Sequence, residues 1–243
     1  MTTTTTRPYD FFVTGTDTEI GKTLVSSALL QALTHAGLSN IGMKPIASGA
    51  EWRDGAWHND DVDSLRDAAS VKVAQELVCP YLMQTPAAPH IVAQQENIKL
   101  EFAPILDAYH GLQAQAEAII IEGVGGFCVP LDDQRDTADL AQTLGLPVIL
   151  AVGIRLGCIN HALLTAAAIR ARGLRLVGWV ANCVSPDMLY PAENIAALEQ
   201  RLDAPLLGRI PYLTQPAAQR PAAAAAWLDL SPLGIAPLAR ATN

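Results

Sequence analysis

Short, uninterrupted runs of apolar residues recur along the chain, with longer segments of helical character between them. Because the runs do not alternate with polar residues, they are typical of parallel strands that helices cover on both faces. The runs predict strands at residues 11–14, 41–45, 118–122, 147–152, 176–181 and 206–210. The longer segments predict helices at residues 21–36, 102–115, 137–144, 159–172 and 192–202. This alternation predicts an α/β fold with three layers, in which helices flank an open, mostly parallel sheet.

An aspartate-rich stretch interrupts this alternation between residues 48 and 89, and a stretch studded with prolines follows it there. An insertion that leaves the carboxyl end of a strand in an open sheet lies over the place where ligands bind. We therefore expect residues 48–89 to lie over a ligand site.

The domain organisation follows from the length and the ends of the chain. A chain of 243 residues is long enough to bury a substantial core. We expect residues 1–8, a threonine-rich stretch, to be a flexible tail, and residues 9–243 to form a single domain. Residues 219–243 are rich in alanine and proline. We expect this last segment to be loosely ordered and to carry no function.

The charge of the chain limits its partners. Sixteen basic and 24 acidic side chains give a net charge of −8. This charge disfavours nucleic acid and anionic membranes as main partners, because both have the same sign as the protein. The longest strongly apolar run, residues 146–154, is about half as long as a membrane-spanning helix. The threonine-rich start of the chain has no apolar signal core, so we expect a cytoplasmic protein. The four cysteines form no CxxC pair.

The segment FFVTGTDTEIGKT, at residues 11–23, reads as a strand, a turn-rich loop and the start of a helix. Such a loop wraps a polyphosphate with backbone N–H groups at the positive end of a helix. Lys22 adds a positive charge, and the Thr23 hydroxyl is a ligand for Mg²⁺. The loop glycine is Gly15, one residue earlier than the usual spacing to Gly21 requires. We interpret the segment as a phosphate-binding loop of unusual spacing.

Two further strand ends carry charged side chains. Glu122 ends an apolar strand before a glycine-rich turn, where a carboxylate can hold Mg²⁺ beside Thr23 and an insertion carboxylate such as Asp61. Capping of the glycine turn is the alternative role for Glu122, and a solvated loop is the alternative for the aspartates. Two of only four lysines, Lys22 and Lys44, follow the first two predicted strands. Lys44 can stabilise a small anion in the same crevice, although a lysine beside proline is also commonly solvated.

Five motifs together resemble the dethiobiotin synthetase family. They are TGTDTEIGKT at residues 14–23, KPIASG at 44–49, EGVGG at 122–126, LGCINH at 156–161 and GWVAN at 178–182. The resemblance extends in order from about residue 9 to residue 212. It implies a fold of the P-loop NTPase type with about seven strands, and a cytoplasmic homodimer.

The resemblance also implies a ligase of biotin biosynthesis. Members of this family use Mg-ATP to join CO₂ or bicarbonate to an amine of 7,8-diaminononanoate. They phosphorylate the resulting carbamate and close a ureido ring, which gives dethiobiotin, ADP and phosphate. ATP is thus a co-substrate and Mg²⁺ a cofactor.

The family's site residues are transferred here by matching motifs. Lys44 and Lys22 are implied as catalytic, and Ser48 and Asn160 as substrate-binding, with Asn160 acting across the dimer interface. Thr23, Asp61 and Glu122 are implied as metal ligands. The implied nucleotide-binding residues are Glu19, Ile20, Gly21, Lys22, Thr23, Leu24, Asp61, Glu122, Gly123, Val124, Gly125, Asn182, Cys183, Ile210, Pro211 and Tyr212.

Some positions differ from the family pattern. Cys183 stands where an aspartate is common, and a glutamate that often follows residues 210–213 is absent. Both differences concern recognition of the base, so they bear on the preference for ATP over other nucleoside triphosphates. Asn194 occupies a helix in which family members often have a tyrosine, and Tyr190 lies four residues away.

Two other functions have related sequence features. Partition-type or site-selection-type ATPases share the sheet and an unusual phosphate loop, but they carry a signature lysine where this chain has Asp17. Other ATP-dependent amide-forming or ring-forming ligases share the fold. The amidating enzymes among them usually carry an additional glutamine-hydrolysing domain, for which 243 residues leave no room.

Overall fold

The computed structural model of the protein describes residues 8–236. Its strands are β1 (Phe11–Gly15), β2 (Asn40–Met43), β3 (Ile46–Ala47), β4 (Glu51–Arg53), β5 (Ala56–His58), β6 (Tyr81–Leu82), β7 (Ala118–Glu122), β8 (Val148–Ile154), β9 (Leu176–Cys183) and β10 (Leu206–Ile210). Its α-helices are α1 (Lys22–His35), α2 (Asp60–Ala68), α3 (Gln75–Val78), α4 (Pro89–Gln95), α5 (Phe102–Gln113), α6 (Thr137–Leu144), α7 (Cys158–Ala171), α8 (Pro191–Glu199) and α9 (Arg220–Ala225). The six strands and five helices predicted from the apolar pattern are all present, with ends shifted by a few residues.

The central sheet confirms the predicted α/β class. Within residues 8–236 it has six strands in the order β10-β9-β8-β1-β7-β2, and all neighbouring strands are parallel. The sheet therefore has one strand fewer than the expected seven. Beyond the edge strand β2, Pro45 has no N–H to donate. The segment after β2 forms the separate two-residue parallel pair β3–β6.

Alternate strand residues pack against opposite layers of helices, as the period of a strand requires. Phe12, Ile119 and Ile121 lie in the hydrophobic cluster that includes residues of α5 and α6. Their neighbours Phe11 and Val13 face the other side, where α1 and α9 cover the sheet. The uninterrupted apolar runs in the sequence therefore reflect burial on both faces of the sheet.

The insertion contains structure that the sequence pattern did not predict. Helices α2 and α3 and an antiparallel hairpin of β4 and β5 lie within residues 48–89, and α4 begins at Pro89, the last residue of the insertion. Asp54 and Gly55 form the hairpin turn with φ angles of +50° and +82°, the left-handed geometry that Asp-Gly turns adopt. The elements were missed because each is shorter than the window in which hydrophobic periodicity can be recognised.

The expectation of loose order after residue 219 is wrong for the residues that the structure describes. Helix α9 follows a 3₁₀ turn at Ala217–Gln219 and packs in the cluster that contains α1. Ala224, Ala225 and Ile235 are buried there. Small alanine side chains allow α9 to approach α1 closely. The alanine-rich composition of this segment is therefore explained by the packing of α9 on α1. Residues 237–243 and 1–7, the latter including most of the expected tail, lie outside the described residues.

No helix within residues 8–236 is both long enough and apolar enough to span a bilayer.

Candidate active site

The loop between β1 and α1 forms the centre of the site. Gly21 precedes α1 with φ +77°, and a Cβ atom there would lie 2.2 Å from the Asn182 side-chain nitrogen. A Cβ on Gly15 would lie 2.9 Å from Ile20 Cδ1. Glycine at position 15 therefore leaves space for Ile20, which is buried beneath the loop. The unusual glycine spacing seen in the sequence thus has a steric reason.

Asn182 connects the loop to the sheet. It lies near the end of β9 and is almost fully buried. Its Nδ2 donates a hydrogen bond of 2.8 Å to the carbonyl oxygen of Ile20. This contact fixes the loop just before α1 begins.

Lys22 is the first residue of α1, and its side chain is largely buried. Its Nζ lies 3.4 Å from the carbonyl oxygen of Asp17, within the loop. The pKa of Lys22 is lowered to about 8, mainly because the side chain is buried and to a smaller extent because Lys44 is near, whereas Glu122 and Asp61 offset part of the shift. The buried Lys22 ammonium therefore faces the loop with few contacts that offset its loss of hydration. A group that binds an anion has this property.

Four polar side chains meet where β1, β2 and β7 end. Thr23 Oγ1 lies 2.7 Å from Asp61 Oδ1 and 2.8 Å from Glu122 Oε1. Lys44 Nζ lies 2.6 Å from Glu122 Oε1 and 3.0 Å from Asp61 Oδ2, and it donates to the Gly123 carbonyl at 3.3 Å. Because β2, β7 and β1 are neighbours in the sheet, residues far apart in sequence converge here.

Lys44 and Asp61 in this cluster have shifted pKa values. Burial by itself would lower the pKa of Lys44, but Glu122 and Asp61 outweigh burial and raise that pKa above its ordinary value. Burial would raise the pKa of Asp61, yet Lys44 and the Thr23 hydroxyl lower it. Glu122 and Asp61 therefore favour the ammonium form of Lys44, and the 3% exposure of this residue excludes the solvated alternative.

Two cavities open on this cluster. The first, of about 690 Å³, is lined by Thr18, Glu19, Gly21, Lys22, Thr23, Lys44, Ala47, Ser48, Asp61, Pro86, Ala87, Ala88, Pro89, Val124, Gly125 and Val129. The second, of about 330 Å³, is lined by Glu19, Gly21, Thr23, Leu24, Ser27, Asp60, Asp61, Ser64, Asn182, Cys183, Val184, Pro211, Tyr212, Leu213, Ala217, Arg220 and Pro221. Four residues line both cavities and therefore lie between them: Glu19 and Gly21 of the phosphate loop, Thr23 and Asp61.

The sequence as a whole matches known proteins with this loop. A family model described as an AAA domain matches residues 10–220. An ATP-dependent dethiobiotin synthetase from Aromatoleum aromaticum is 54% identical over 225 residues, which are 93% of this chain and 99% of that protein. One from Janthinobacterium sp. (strain Marseille) is 53% identical over 93% of this chain and 96% of that protein. The chain belongs to the dethiobiotin synthetase family.

Solved structures similar to this member of the dethiobiotin synthetase family confirm the fold. A ParA family ATPase from Chlorobium tepidum covers 96% of this chain and 94% of its own, with a TM-score of 0.53 and 12% identity. A chain of the MinC:MinD cell division protein complex from Aquifex aeolicus matches over 85% of this chain and 82% of its own length, with a TM-score of 0.53 and 11% identity. At such low identity the likeness concerns the fold alone, a P-loop NTPase fold.

The residues expected to bind Mg²⁺ in this family fit that ion chemically. Mg²⁺ prefers hard oxygen ligands, and proteins often provide only one or two carboxylates while substrate phosphates and water complete the octahedron. Asp61, Glu122 and Thr23 supply two carboxylates and a hydroxyl within hydrogen-bond distance of one another. Glu122 Oε2 is buried and has no hydrogen-bond partner among the described residues. No group of three or more His, Cys, Asp or Glu residues suited to a metal occurs between residues 8 and 236.

Most residues predicted from the dethiobiotin synthetase motifs come together at the two cavities, but five do not line either one. Glu122 is fully buried and contacts Thr23 and Lys44. Gly123 contributes its carbonyl to Lys44 instead. Ile20 and Ile210 have buried side chains in the hydrophobic cluster beside α1, so any ligand contact from them is limited to the backbone. Asn160 lies exposed in the first turn of α7.

Sequence reasoning predicted one wall of the site and missed another. Residues 86–89 line the first cavity together with Ser48 and Asp61, which agrees with the expectation that residues 48–89 lie over a ligand site. Ala217, Arg220 and Pro221 line the second cavity, although we expected no function for residues 219–243. The position of the partition-type signature lysine is filled by Asp17, whose carboxylate pairs with Arg155.

Proposed function

We propose that this protein catalyses the Mg-ATP-dependent carboxylation of 7,8-diaminononanoate with CO₂ and the closure of the ureido ring, giving dethiobiotin, ADP and phosphate. The similarity to curated dethiobiotin synthetases over almost the whole chain supports this reaction. The observation that carries the proposal is the buried ammonium of Lys44, which lies beside the phosphate loop at the wall of the larger cavity.

The proposed chemistry has three steps. An amine of the substrate attacks CO₂, which forms a C–N bond and releases a proton, leaving a carbamate. A carbamate oxygen then attacks the γ-phosphorus of ATP, and the bond to the β-phosphate oxygen breaks, so ADP leaves. The second amine attacks the carbonyl carbon of the resulting carbamic-phosphoric anhydride and loses a proton, and phosphate departs with the C–O electron pair.

Phosphoryl transfer of this kind needs alignment and charge neutralisation more than acid–base groups. Lys22 and the backbone N–H groups of residues 19–24 would bind the phosphates at the start of α1. Lys44 would stabilise negative charge on the carbamate and on the transferring phosphoryl group. Both ammonium groups line the first cavity, and the Glu122 and Asp61 carboxylates hold Lys44 in one position.

Mg²⁺ would neutralise phosphate charge when it is bound. Thr23, Asp61 and Glu122 would hold it, which agrees with the buried, unpartnered Glu122 Oε2 among the described residues.

The walls of the two cavities agree with the remaining ligands. Pro86, Pro89 and Val129 give the first cavity an apolar side suited to an alkyl chain. Ser48 lies at the same wall, and its hydroxyl is buried without a hydrogen-bond partner in the described part of the chain. The second cavity, with Asn182, Cys183, Pro211 and Tyr212, would receive the base of ATP.

The protein is proposed to act as a homodimer. Large exposed apolar side chains concentrate around α7 and the start of α8: Leu156 is 93% exposed, Leu164 62%, Leu189 75% and Tyr190 70%. Apolar groups that cluster on a surface favour a protein interface. Asn160 is exposed in the same region, so a second subunit packed here would place it at the interface, as its proposed role across the dimer requires.

Replacement of Leu164 tests the dimer directly. Leu164→Glu places a charge in the proposed interface, and we expect sedimentation to give a monomer with a weakened affinity for the diamine. Ile91→Glu is the control, because it places the same charge on an apolar side chain that is 43% exposed but lies in α4, outside the proposed interface. A Leu164→Glu protein that stays dimeric with unchanged kinetics would contradict the proposed interface.

The low pKa of Lys22 predicts a pH dependence of nucleotide binding. Bound phosphates favour the ammonium, so they raise the pKa of Lys22 above the value of about 8 in the free protein. Below pH 8 the proton is already present, whereas above it nucleotide binding must take up a proton. Affinity for ADP without Mg²⁺ should therefore fall as pH rises above 8, by up to roughly tenfold per pH unit. Calorimetry in two buffers measures the uptake, and Lys22→Arg, which stays charged, should show none.

A cytoplasmic location is also proposed. The four cysteines are free thiols, which is typical of reducing compartments.

A product assay tests the reaction. Purified protein is incubated with Mg-ATP, bicarbonate and 7,8-diaminononanoate, and mass spectrometry follows the cyclic urea while ADP is quantified. We expect one ADP for each urea formed. Hydrolysis of ATP without the urea would refute the proposed function.

A further inference from the structure

Asn59 contacts two segments of the site. Along the chain, the exposed β4–β5 hairpin separates these two segments. Ser48 precedes this hairpin and lines the first cavity, whereas Asp61 follows it and lines both cavities. Asn59 itself lines neither cavity and is only 9% exposed. Its side chain nevertheless contacts both neighbours.

The contacts of Asn59 use both ends of its amide. Its Nδ2 donates to the carbonyl oxygen of Ser48 at 3.0 Å. Its Oδ1 accepts from the backbone N–H groups of Asp61 at 3.1 Å and Val62 at 3.3 Å, which caps the start of α2. Asparagine combines a donor and an acceptor in one planar group, so a single side chain links the two segments.

The cap controls where the Asp61 carboxylate points. The first turn of α2 contains three carboxylates, Asp60, Asp61 and Asp63, and only Asp61 reaches Thr23 and Lys44. Because Asn59 binds the backbone N–H of Asp61 itself, a freed first turn would move this carboxylate relative to Glu122. The Asp61 side chain is about half exposed, so packing alone does not fix it.

The other contact holds the Ser48 segment. Gly49 follows with φ +82°, and a Cβ on it would lie 3.1 Å from Pro86 Cβ, so this backbone lies directly on the proline wall of the first cavity. The Ser48 hydroxyl has no partner among the described residues. A shift of the Ser48 backbone would therefore move both the unpaired Ser48 hydroxyl and the wall of the first cavity that contains Pro86.

We infer that Asn59 is a positioning residue, which holds the nucleotide-side carboxylate Asp61 and the substrate-side residue Ser48 in one fixed relation. The inference rests on the proposed function for the role of Ser48. It predicts that the two contacts of Asn59 affect different ligands.

Three variants separate the two contacts. In Asn59→Ser the hydroxyl can still cap α2, but it is too short to reach the Ser48 carbonyl. In Asn59→Asp the cap is kept, the donor is lost, and a carboxylate faces that carbonyl. In Asn59→Ala both contacts are lost.

The expected results differ for each variant. Asn59→Ser should raise the KM for the diamine by about three- to tenfold, the effect of one lost hydrogen bond, and leave the affinity for Mg-ADP unchanged. Asn59→Asp should raise this KM further. Asn59→Ala should also weaken Mg-ADP binding, measured by calorimetry without any turnover.

Asn40→Ser is the matched control. Asn40 is also a buried asparagine whose side chain donates and accepts hydrogen bonds, but it lies at the amino end of β2, away from the cluster. Asn40→Ser should lower the melting temperature without changing either ligand's affinity.

Two outcomes would overturn the inference. One is a set of Asn59 variants that lose stability as Asn40→Ser does while both affinities stay at the wild-type value. The other is a normal diamine KM in Asn59→Asp, since that variant lacks the donor. Failure of the wild-type protein to form the cyclic urea would instead refute the proposed function. Mg-ADP binding by Asn59→Ala would still decide the Asp61 half of the inference.

Discussion

Replacing Lys44 by glutamine is expected to lower kcat by about a hundredfold to a thousandfold, the effect of removing one preorganised charge from a transition state. The affinity for ADP should change far less, because Lys22 and the loop amides remain. Single-turnover measurements with saturating ATP would give the rate of phosphoryl transfer directly. Full activity in Lys44→Gln would remove this lysine from the mechanism.

The stability of this variant needs a separate test, because Lys44→Gln leaves the buried Glu122 carboxylate without its nearest cation. Losing one partner of a buried ion pair typically costs about 3–5 kcal/mol. The double variant Lys44→Gln with Glu122→Gln removes both charges and should recover much of this free energy of unfolding. It should not recover turnover. Lys99→Gln changes a lysine whose side chain is 84% exposed and serves as the control.

The second large effect is expected from Thr23→Val, which removes one hydroxyl and keeps the shape of the side chain. That hydroxyl lies within 2.8 Å of a carboxylate oxygen of both Asp61 and Glu122. Its loss should lower kcat/KM for Mg-ATP by about a hundredfold, within the range of a single lost electrostatic contact in a site of this kind. The Mg²⁺ concentration for half-maximal rate should rise.

Thr23→Ser keeps the hydroxyl and should retain most activity. Binding of ADP in the presence of EDTA should be similar in Thr23→Val, Thr23→Ser and the wild type, because the loop amides and Lys22 are unchanged. Equal Mg²⁺ dependence in Thr23→Val and Thr23→Ser would exclude Thr23 as a ligand of the ion.

The sequence predicts the sheet well, for a clear physical reason. Strands buried on both faces are uninterrupted apolar runs, and residues 118–122 in the sequence are the strand β7 (Ala118–Glu122) in the structure. The local sequence reveals such a strand because every residue in it is buried and therefore apolar, whichever face of the sheet it lies on. The charged residues that follow such runs are equally visible, and Lys44 and Glu122 meet as a result.

The parts that sequence did not reveal depend on contacts between distant segments. The role of Arg155 as the partner of Asp17 requires the end of β8 to lie beside the loop after β1. The two contacts of Asn59 require the β4–β5 hairpin to bring Ser48 back to α2. Composition was misleading for α9, because an alanine-rich helix that packs on a neighbour resembles a loose tail in sequence.

The position of α9 has a consequence for how the protein is made. Residues at the start of α9, Arg220 and Pro221, line the second cavity together with Leu24 and Ser27 from α1. During synthesis the amino-terminal part of a chain emerges first and begins to fold first. The phosphate loop therefore leaves the ribosome long before the wall that completes the second cavity. A ligand that fills this cavity would contact α9 and α1 together, so it would stabilise the packing of the last helix on the first.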